Sequence, residues 1–422
     1  MSQPPNRETA QPRDHDPYAA LRFANFRRLI LAYSTTTIAR EAQIVVVGWQ
    51  VYAITNDPLS LGLIGLAEAL PFIAVALYAG HVADRANRRA IAIVGTIGIA
   101  ISVAALLAFT LIPGAIAAHR VWPVYAVIFA SGIARSFTRP AVSALSAELI
   151  PRELFPSAVS WRSSTWQFSA ILGPALGGLL YGFAGPAWSY VVVLVLTLAS
   201  IVAFMLIAHP SQPPATADMG LSESLRIGLR FLWNQPVLLS AMTLDLFSVL
   251  FGGATALLPV FAKILHVGPE GLGILRAAPA IGSLVIGIYI AHRPPFKRAG
   301  LTLFAAVAAF GVCMIAFALS RNFWLSFALL ALSGVADNIS VLIRGTLLQM
   351  LTPTELLGRV SAVNQIFIGS SNEIGAFESG VAARLLGTVP SVVFGGAMTL
   401  IVVAIIAMWS PPLRRMREIH SV

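Results

Sequence analysis

Charge is scarce in this sequence. Asp, Glu, Lys and Arg together supply 11% of its 422 residues, where a soluble domain carries about 25%. So few charges exclude a water-facing surface over most of the chain. Cysteine is all but absent. Cys313 stands alone inside an apolar run, which excludes a disulfide framework and a thiolate metal site. The N-terminal tail is polar and proline-rich and lacks the apolar core of a signal peptide. No G-x-x-x-x-G-K-[ST] occurs, so the phosphate cradle of an ATP-driven pump is missing. Neither H-E-x-x-H nor a metal-binding aspartate cluster is found, and the histidines are scattered over tails, loops and span ends. These absences argue against an enzyme and against a bound cofactor or metal.

What the chain has instead is apolar length. Hydrophobic residues make up 57% of it. A membrane helix needs about 20 mostly apolar residues, and twelve runs meet that need: 26–54, 58–80, 89–112, 122–147, 155–184, 187–208, 236–262, 270–291, 299–319, 323–350, 357–386 and 389–410. In lipid every backbone group must bond internally, so these are helices and not open strands. The alternating segments of about ten residues that mark a β-barrel do not occur. The net charge of +10 is spread over short loops, which argues against nucleic acid as a partner. About eighteen basic residues fall on the side holding the N-terminus, against four (Arg120, Lys263, Arg321, Arg384) on the other. The positive-inside rule places both termini in the cytoplasm, and implies a multi-pass protein of the cell's inner (plasma) membrane.

The chain divides near its middle. Residues 209–235 read as a linker, opening on His209-Pro210-Ser211-Gln212-Pro213-Pro214 and closing on an amphipathic stretch. There Leu221, Leu225, Leu229 and Leu232 face one way and Ser222, Arg226 and Arg230 another. This is an interfacial helix or a solvated linker helix. A repeat supports the division. Ser131-Gly132-Ile133-Ala134 recurs as Ser333-Gly334-Val335-Ala336, and Gly173, Gly178 and Gly185 recur as Gly375, Gly380 and Gly387, all 202 positions apart. The expected organisation is a tail (1–25), a six-helix half (26–208), the linker, a second six-helix half (236–410) and a tail (411–422). The fold class is an all-α membrane protein of twelve transmembrane helices in two halves, the layout of a transporter around a central site.

Two motifs carry more than topology. Residues 80–89 read Gly-His-Val-Ala-Asp-Arg-Ala-Asn-Arg-Arg between the second and third runs. Gly80 permits close helix approach, Asp84 can cap or pair at a helix end, and Arg85, Arg88 and Arg89 hold the turn at the inner surface. The matching stretch, His292 to Arg298, has no aspartate. In the fifth run stands Gly173-Pro174-Ala175-Leu176-Gly177-Gly178. Its proline should kink the helix, and its glycines offer a flat packing face.

G-x-x-x-D-R-x-x-R-R and G-P-x-x-G-G at these places resemble signatures of the major facilitator superfamily, the second that of its drug and metabolite antiporters. The Leu-Ile-Pro-Arg-Glu-Leu loop (149–154) and the helix from Ser224 to Trp233 look like the drug/proton antiporter branch that includes the enterobactin exporter and macrolide efflux proteins. The resemblance implies the major facilitator fold and a latch at 80–89 between the halves in an outward-open state. It also implies export of an amphipathic drug, siderophore or similar metabolite, driven by the proton gradient with no other cofactor.

Buried charge locates the candidate site. Arg40, Glu41, Glu68, Arg135, Arg139 and Arg162 lie within runs of the first half. Asp245, Arg276, Asp337, Arg344, Glu373 and Glu378 lie within runs of the second. Each costs at least about 2.5 kcal/mol at mid-membrane, so they should face a cavity or one another. Arg40 and Glu41 point about 100° apart and are each expected to pair with another helix. Arg135 and Arg139 share a face. The first half is richer in arginine and the second in acid. The first half is therefore expected to hold an anionic group of the substrate. A carboxylate of the second, Glu373 or Asp337 first, would carry the coupling proton, since burial favours the neutral acid. Structural ion pairs between helices are the competing account. Asn364, Gln365, Ser370, Ser371 and Asn372 should line a wet cavity. Trp49, Trp161, Trp166 and Phe247 serve packing or stack on a ring-bearing substrate.

The expected partners are a small-molecule substrate, protons and the bilayer, with the chain working as a monomer. Proton-coupled import, or a lipid flippase or receptor on the same fold, remain alternatives. The orientation is checked by cysteine labelling. With Cys313→Ser as background, a membrane-impermeant maleimide should label Arg321→Cys in intact cells and Asn87→Cys only after lysis.

Overall fold

The computed structural model describes residues 16, 18–117, 120–208, 221–252, 254–294 and 296–416. The sequence-predicted tails and linker therefore lie partly outside the described residues. Among those described, every regular element is a helix. The long ones are α1 (Ala24–Thr55), α2 (Pro58–Arg85), α3 (Arg88–Leu111), α4 (Trp122–Glu148) and α5 (Phe155–Met205). After α6 (Leu221–Trp233) come α7 (Pro236–Gly252), α8 (Leu258–Ile264), α9 (Pro269–Ala291), α10 (Ala299–Leu319), α11 (Phe323–Leu351), α12 (Thr354–Leu386), α13 (Thr388–Trp409) and the single turn α14 (Pro411–Arg415).

Twelve membrane crossings result. Eight segments are long and apolar enough to cross on length and composition alone. One of them, 152–205, is two crossings: α5 turns back at Gly185, whose φ of 80° lies in the left-handed region. Three more helices, α1, α4 and α12, are as long and carry half of the charges named within the spans. At 1.5 Å per residue even the 24-residue α3 reaches about 36 Å, more than the hydrocarbon thickness.

Local chemistry sets the ends. Asp57 caps α2, its Oδ1 accepting from the Leu59 amide at 3.0 Å with Pro58 at the first helical position. Asn87 caps α3 and Asn322 caps α11 in the same way. The repeat is visible in the backbone as well. Gly185 and Gly387, 202 positions apart, both take positive φ between the fifth and sixth crossings of their halves. Asn56 and His266 take left-handed φ where the first crossing of each half ends.

Two expectations change. The run 236–262 is not one helix: α7 stops at Gly252, residues 254–257 form a 3₁₀ turn, and α8 resumes. Residues 80–85 continue α2, so only Ala86 and Asn87 form the turn that the motif had suggested was longer. At Pro174 the backbone dihedrals stay helical, and within α5 they leave the helical region only at Gly185. The start of the C-terminal tail is docked, with Leu413 fully buried and its carbonyl lying on Gly300.

The halves meet along two seams, α2 on α12 and the first arm of α5 on α9. Each has a glycine-on-glycine crossing. A Cβ added at Gly380 would lie 2.7 Å from Gly62 Cα, and one at Gly178 would lie 2.8 Å from Gly273 Cα. No side chain fits there without parting the helices. Alanine at Gly178 or Gly380 should therefore cost about 1–3 kcal/mol by overpacking. It should register as a lower melting temperature of the purified protein in detergent, while alanine at Gly80, which has open space around it, should not.

Candidate functional site: a charged network between the halves

The two ends of the molecule differ. At the end bearing Asn56, the halves are joined. Arg384 of α12 reaches Asp57 at 3.2 Å. Lys263 of α8 donates to Asn56 Oδ1 at 2.7 Å and sits 4.6 Å from the centre of the Tyr52 ring. Contacts continue to mid-depth, where Phe72 lies against Gly369 and Gln167 donates to the Ala280 carbonyl. Towards the end bearing Asn87 the polar faces of α4 and α11 are exposed, Arg139 and Ser143 on one and Thr346 and Gln349 on the other. We read the space between these exposed polar faces as a central cavity open at that end. Beside it, a groove of about 480 Å³ between α1 and α5 mixes Arg27, Ser34, Ser164 and Thr165 with Leu31, Trp161 and Phe168.

At the floor of the cavity stands Glu68. Its Oε1 accepts from Arg40 of α1 at 2.9 Å and from Arg135 of α4 at 2.7 Å. Arg135 also donates to Gln43 at 3.3 Å. Arg40 thus has the partner on another helix that was expected of it, and it also donates to its neighbour Glu41 at 3.1 Å, a pairing that was not expected. The backbone angle separates their Cβ atoms, but the long arginine side chain spans the gap. Glycine placement brings the helices close enough. A Cβ at Gly132 of α4 would meet Pro71 and the Glu68 carbonyl, and one at Gly65 would meet Ala376 and the Glu373 carbonyl. Thus α2 lies between α4 and α12, and Glu373 of the second half falls within electrostatic range of Glu68, Arg40, Arg135 and Arg139. Arg276 of α9 is likewise in range of Glu41, Arg40, Glu68 and Glu373.

This network holds four guanidinium groups, Arg40, Arg135, Arg139 and Arg276, against the carboxylates of Glu41, Glu68 and Glu373. Among the described residues Arg139 makes no close ion pair, although Glu68 and Glu373 are in electrostatic range; it lies 5.8 Å from the centre of the Phe72 ring. Arg162 lies over Tyr33 at 5.7 Å and donates weakly to Ser143, and its Nε is buried without an acceptor.

A second cluster sits apart, between α7 and α11. Asp245 pairs with Arg344, which also donates to Ser340. Asp337 lies beside them, its charged neighbours being Asp245 and Arg344. Together with Ser248 and Ser340 the two aspartates line a cavity of about 20 Å³, room for one water. Asp337 is the repeat equivalent of Arg135, 202 positions on, so the symmetric site carries opposite charge in the two halves.

Other expected residues fall elsewhere. Glu378 bonds to its neighbour Ser379, and Asn372 donates to the Ile368 carbonyl of its own helix. Asn364 is partly buried on α12. Phe247 stacks on Phe251 and Trp161 on Tyr18, while Trp49 packs into the core. The rings that do meet buried arginines, Phe72 and Tyr33, were not among those expected, since nothing in their local sequence marks them. Gln43, a neutral residue in an apolar run, was missed for the same reason.

The described side chains of the 80–89 motif make contacts to α4 and α5, and the 173–178 motif packs on α1 and α9. Arg88 pairs with Glu148 of α4, and Arg89 donates from Nε to the Phe204 carbonyl at 3.2 Å and from Nη2 to that of Met205, capping the C-terminus of α5. Both of these contacts lie within the first half. Gly80 makes no close approach, and the side chains of Asp84 and Arg85 lie outside the described residues. Gly173 and Gly177 pack on α1, whereas Pro174 and Gly178 pack on α9.

Two halves of six crossings around a charged cavity define a membrane transport protein. The sequence pattern of the Major Facilitator Superfamily matches residues 29–376, and the chain belongs to that family. Enterobactin exporters EntS from Citrobacter koseri and Shigella flexneri are each 25% identical over 396 residues, covering 93% of either chain. Among solved structures, a bacterial homolog of the human lysosomal transporter Spinster, in an inward-facing and occupied conformation, aligns with a TM-score of 0.70 at 14% identity. It covers 94% of this chain and 97% of its own. The nucleoside transporter NupG aligns with a TM-score of 0.69 at 12% identity, covering 91% and 99%.

Removing Glu68 tests the network. Glu68→Ala would leave Arg40 and Arg135 buried without their shared counter-ion, at a cost of about 3–5 kcal/mol. The expected result is a large drop in melting temperature, partly restored in Glu68→Ala/Arg135→Met.

Proposed function

We propose that this chain is a proton-coupled antiporter that exports an amphipathic small molecule bearing an anionic group. It would sit in the inner (plasma) membrane with both termini cytoplasmic, and work as a monomer by alternating access. The observation that carries the reading is the surplus of guanidinium groups facing the cavity, with Arg139 and Arg162 held against rings instead of carboxylates. A buried cation without a counter-ion is costly, and an anionic, ring-bearing substrate would supply both partners. The mixed apolar and polar groove between α1 and α5 suits an amphipathic molecule. The enterobactin exporters among the relatives favour efflux. With the orientation expected from the arginine count, the open Asn87 end faces the cytoplasm, where an exported substrate loads.

Coupling then turns on which carboxylate takes the proton. In an exchanger, substrate and proton must take turns. An anion held by Arg40, Arg135 and Arg139 would weaken their hold on the charge of Glu373 and so favour its protonation, making the two bind together. That is the logic of symport. Asp337 escapes this, since its charged neighbours are Asp245 and Arg344. We therefore assign the exchanged proton to Asp337. The position of Glu373 in the field of the network is the observation favouring the second reading, a proton-coupled importer.

Transport in proteoliposomes separates the two. For the antiporter, Asp337→Asn abolishes proton-driven exchange and Glu373→Gln keeps it. For the importer the pattern reverses. A deletion strain scored against a panel of antibiotics, and for siderophore in its medium, should show increased drug sensitivity or lost secretion; gain of neither would count against export.

A further inference from the structure

Arg276 is the one arginine of the second half that enters the central network, and its surroundings do not satisfy it. A guanidinium carries five N–H donors. Among the described residues Arg276 makes a single long hydrogen bond, from Nη1 to the Thr255 carbonyl at 3.4 Å, and its Nε is buried without an acceptor. Thr255 lies in the 3₁₀ turn where the α7–α8 crossing is broken. The residue stands on α9 one turn from Gly273, which packs on Pro174 and Gly178 of the other half. It is therefore fixed at the seam. Across that seam are Glu41 and Arg40, both in electrostatic range, and Glu41 is already bonded to Arg40. Buried polar groups are as a rule hydrogen-bonded. An orphaned guanidinium at the meeting of two moving halves has donors aimed at something that comes and goes.

We propose that Arg276 and Arg40 form a two-sided anion site, one arginine from each half, which takes a compact oxyanion such as a carboxylate, phosphate or sulfonate. This rests on the reading of the substrate as anionic and adds what the second half contributes to holding it. The anion would accept from the free Nε and Nη of Arg276 and compete with Glu41 for Arg40. Because the two arginines belong to different halves, the bound group would tie the halves at the cavity floor. Two mutually repelling guanidinium groups can close on an anion more readily than on each other. Lysine would keep the charge but lose the fork that binds two oxygens at once.

The test uses the purified full-length protein in a neutral detergent, with fluorescein as an anionic aromatic probe, rhodamine 6G as its cationic counterpart, and inorganic phosphate as a competitor. Fluorescein anisotropy should show tighter binding than rhodamine 6G. Hydrogen bonds to charged groups are worth about 1.5–3 kcal/mol, so Arg276→Gln should weaken fluorescein binding about tenfold or more, and Arg276→Lys by less. The variant Glu41→Gln/Arg276→Gln separates ligand binding from a structural role as counter-ion to Glu41: it should stay weak if Arg276 holds the anion. Competition by millimolar phosphate identifies the oxyanion as the group recognised, and absence of competition identifies the organic probe as a whole. Fluorescein affinity within twofold of wild type in Arg276→Gln, or restored in the double variant, overturns the proposal. Efflux of the same dye from cells keeps the two readings apart. Loss of the Arg276 effect with efflux intact sinks only this site, whereas a wild type that neither binds nor exports the anionic dye sinks the anionic-substrate reading itself.

Discussion

Glu68 accepting from Arg40 and Arg135 at once is the interaction on which the rest of the architecture turns. It joins α1, α2 and α4, the helices that carry most of the charge of the first half. Lipid offers no solvation to a stray guanidinium, so these three helices must approach closely enough for one carboxylate to serve two cations. That demand explains where the glycines fall. Gly132 lets α4 come down on Glu68 and Pro71, and Gly65 lets α12 approach the opposite side of α2. Electrostatics sets the required distance and small residues make it attainable.

The same pairing of charge and small side chains governs the seams between halves. Glycine crossings at 62/380 and 178/273 bring backbones together with nothing to interlock. Such surfaces can part without withdrawing knobs from holes. Arg384–Asp57 and Lys263–Asn56 close the end at which those crossings lie, and they are partly exposed, where ion pairs are worth about 0–1 kcal/mol. The arrangement seen here, joined at one end and open at the other, is thus held by contacts of modest strength.

Much of the fold was legible in the chain. Most of the twelve crossings follow from apolar length, because only a helix satisfies the backbone in lipid; α1, α4 and α12, which carry buried charge, stand out less by composition. The 202-residue repeat anticipated the matching left-handed glycines 185 and 387. What the chain did not reveal was local. Gly80 looked like a packing residue and has empty space around it. Pro174 read as a kink; the backbone dihedrals there stay helical, with α1 and α9 packed on either side. Arg88 and Arg89 read as part of a latch between halves; in this arrangement they also bond to α4 and α5, and the side chains of Asp84 and Arg85, which share the motif, lie outside those described. The break after Gly252 left no trace in hydropathy, because both pieces of that crossing are equally apolar.

Composition and charge pattern by themselves determined that this chain crosses a membrane many times, in two related halves, with ionisable groups buried inside. Those are properties of each helix against its solvent, and each helix carries them alone. Which charges answer one another was decided only by the tertiary structure. Asp337 and Glu373 are equally plausible acids in sequence, yet one sits with Asp245 and Arg344 while the other faces the arginines of the opposite half. Arg276 reads as one more cation on a helix until the seam at Gly273 sets it beside Arg40 and Glu41. Pairing depends on distances between helices far apart in the chain, and those distances are fixed by how side chains and glycines pack, which no single helix encodes.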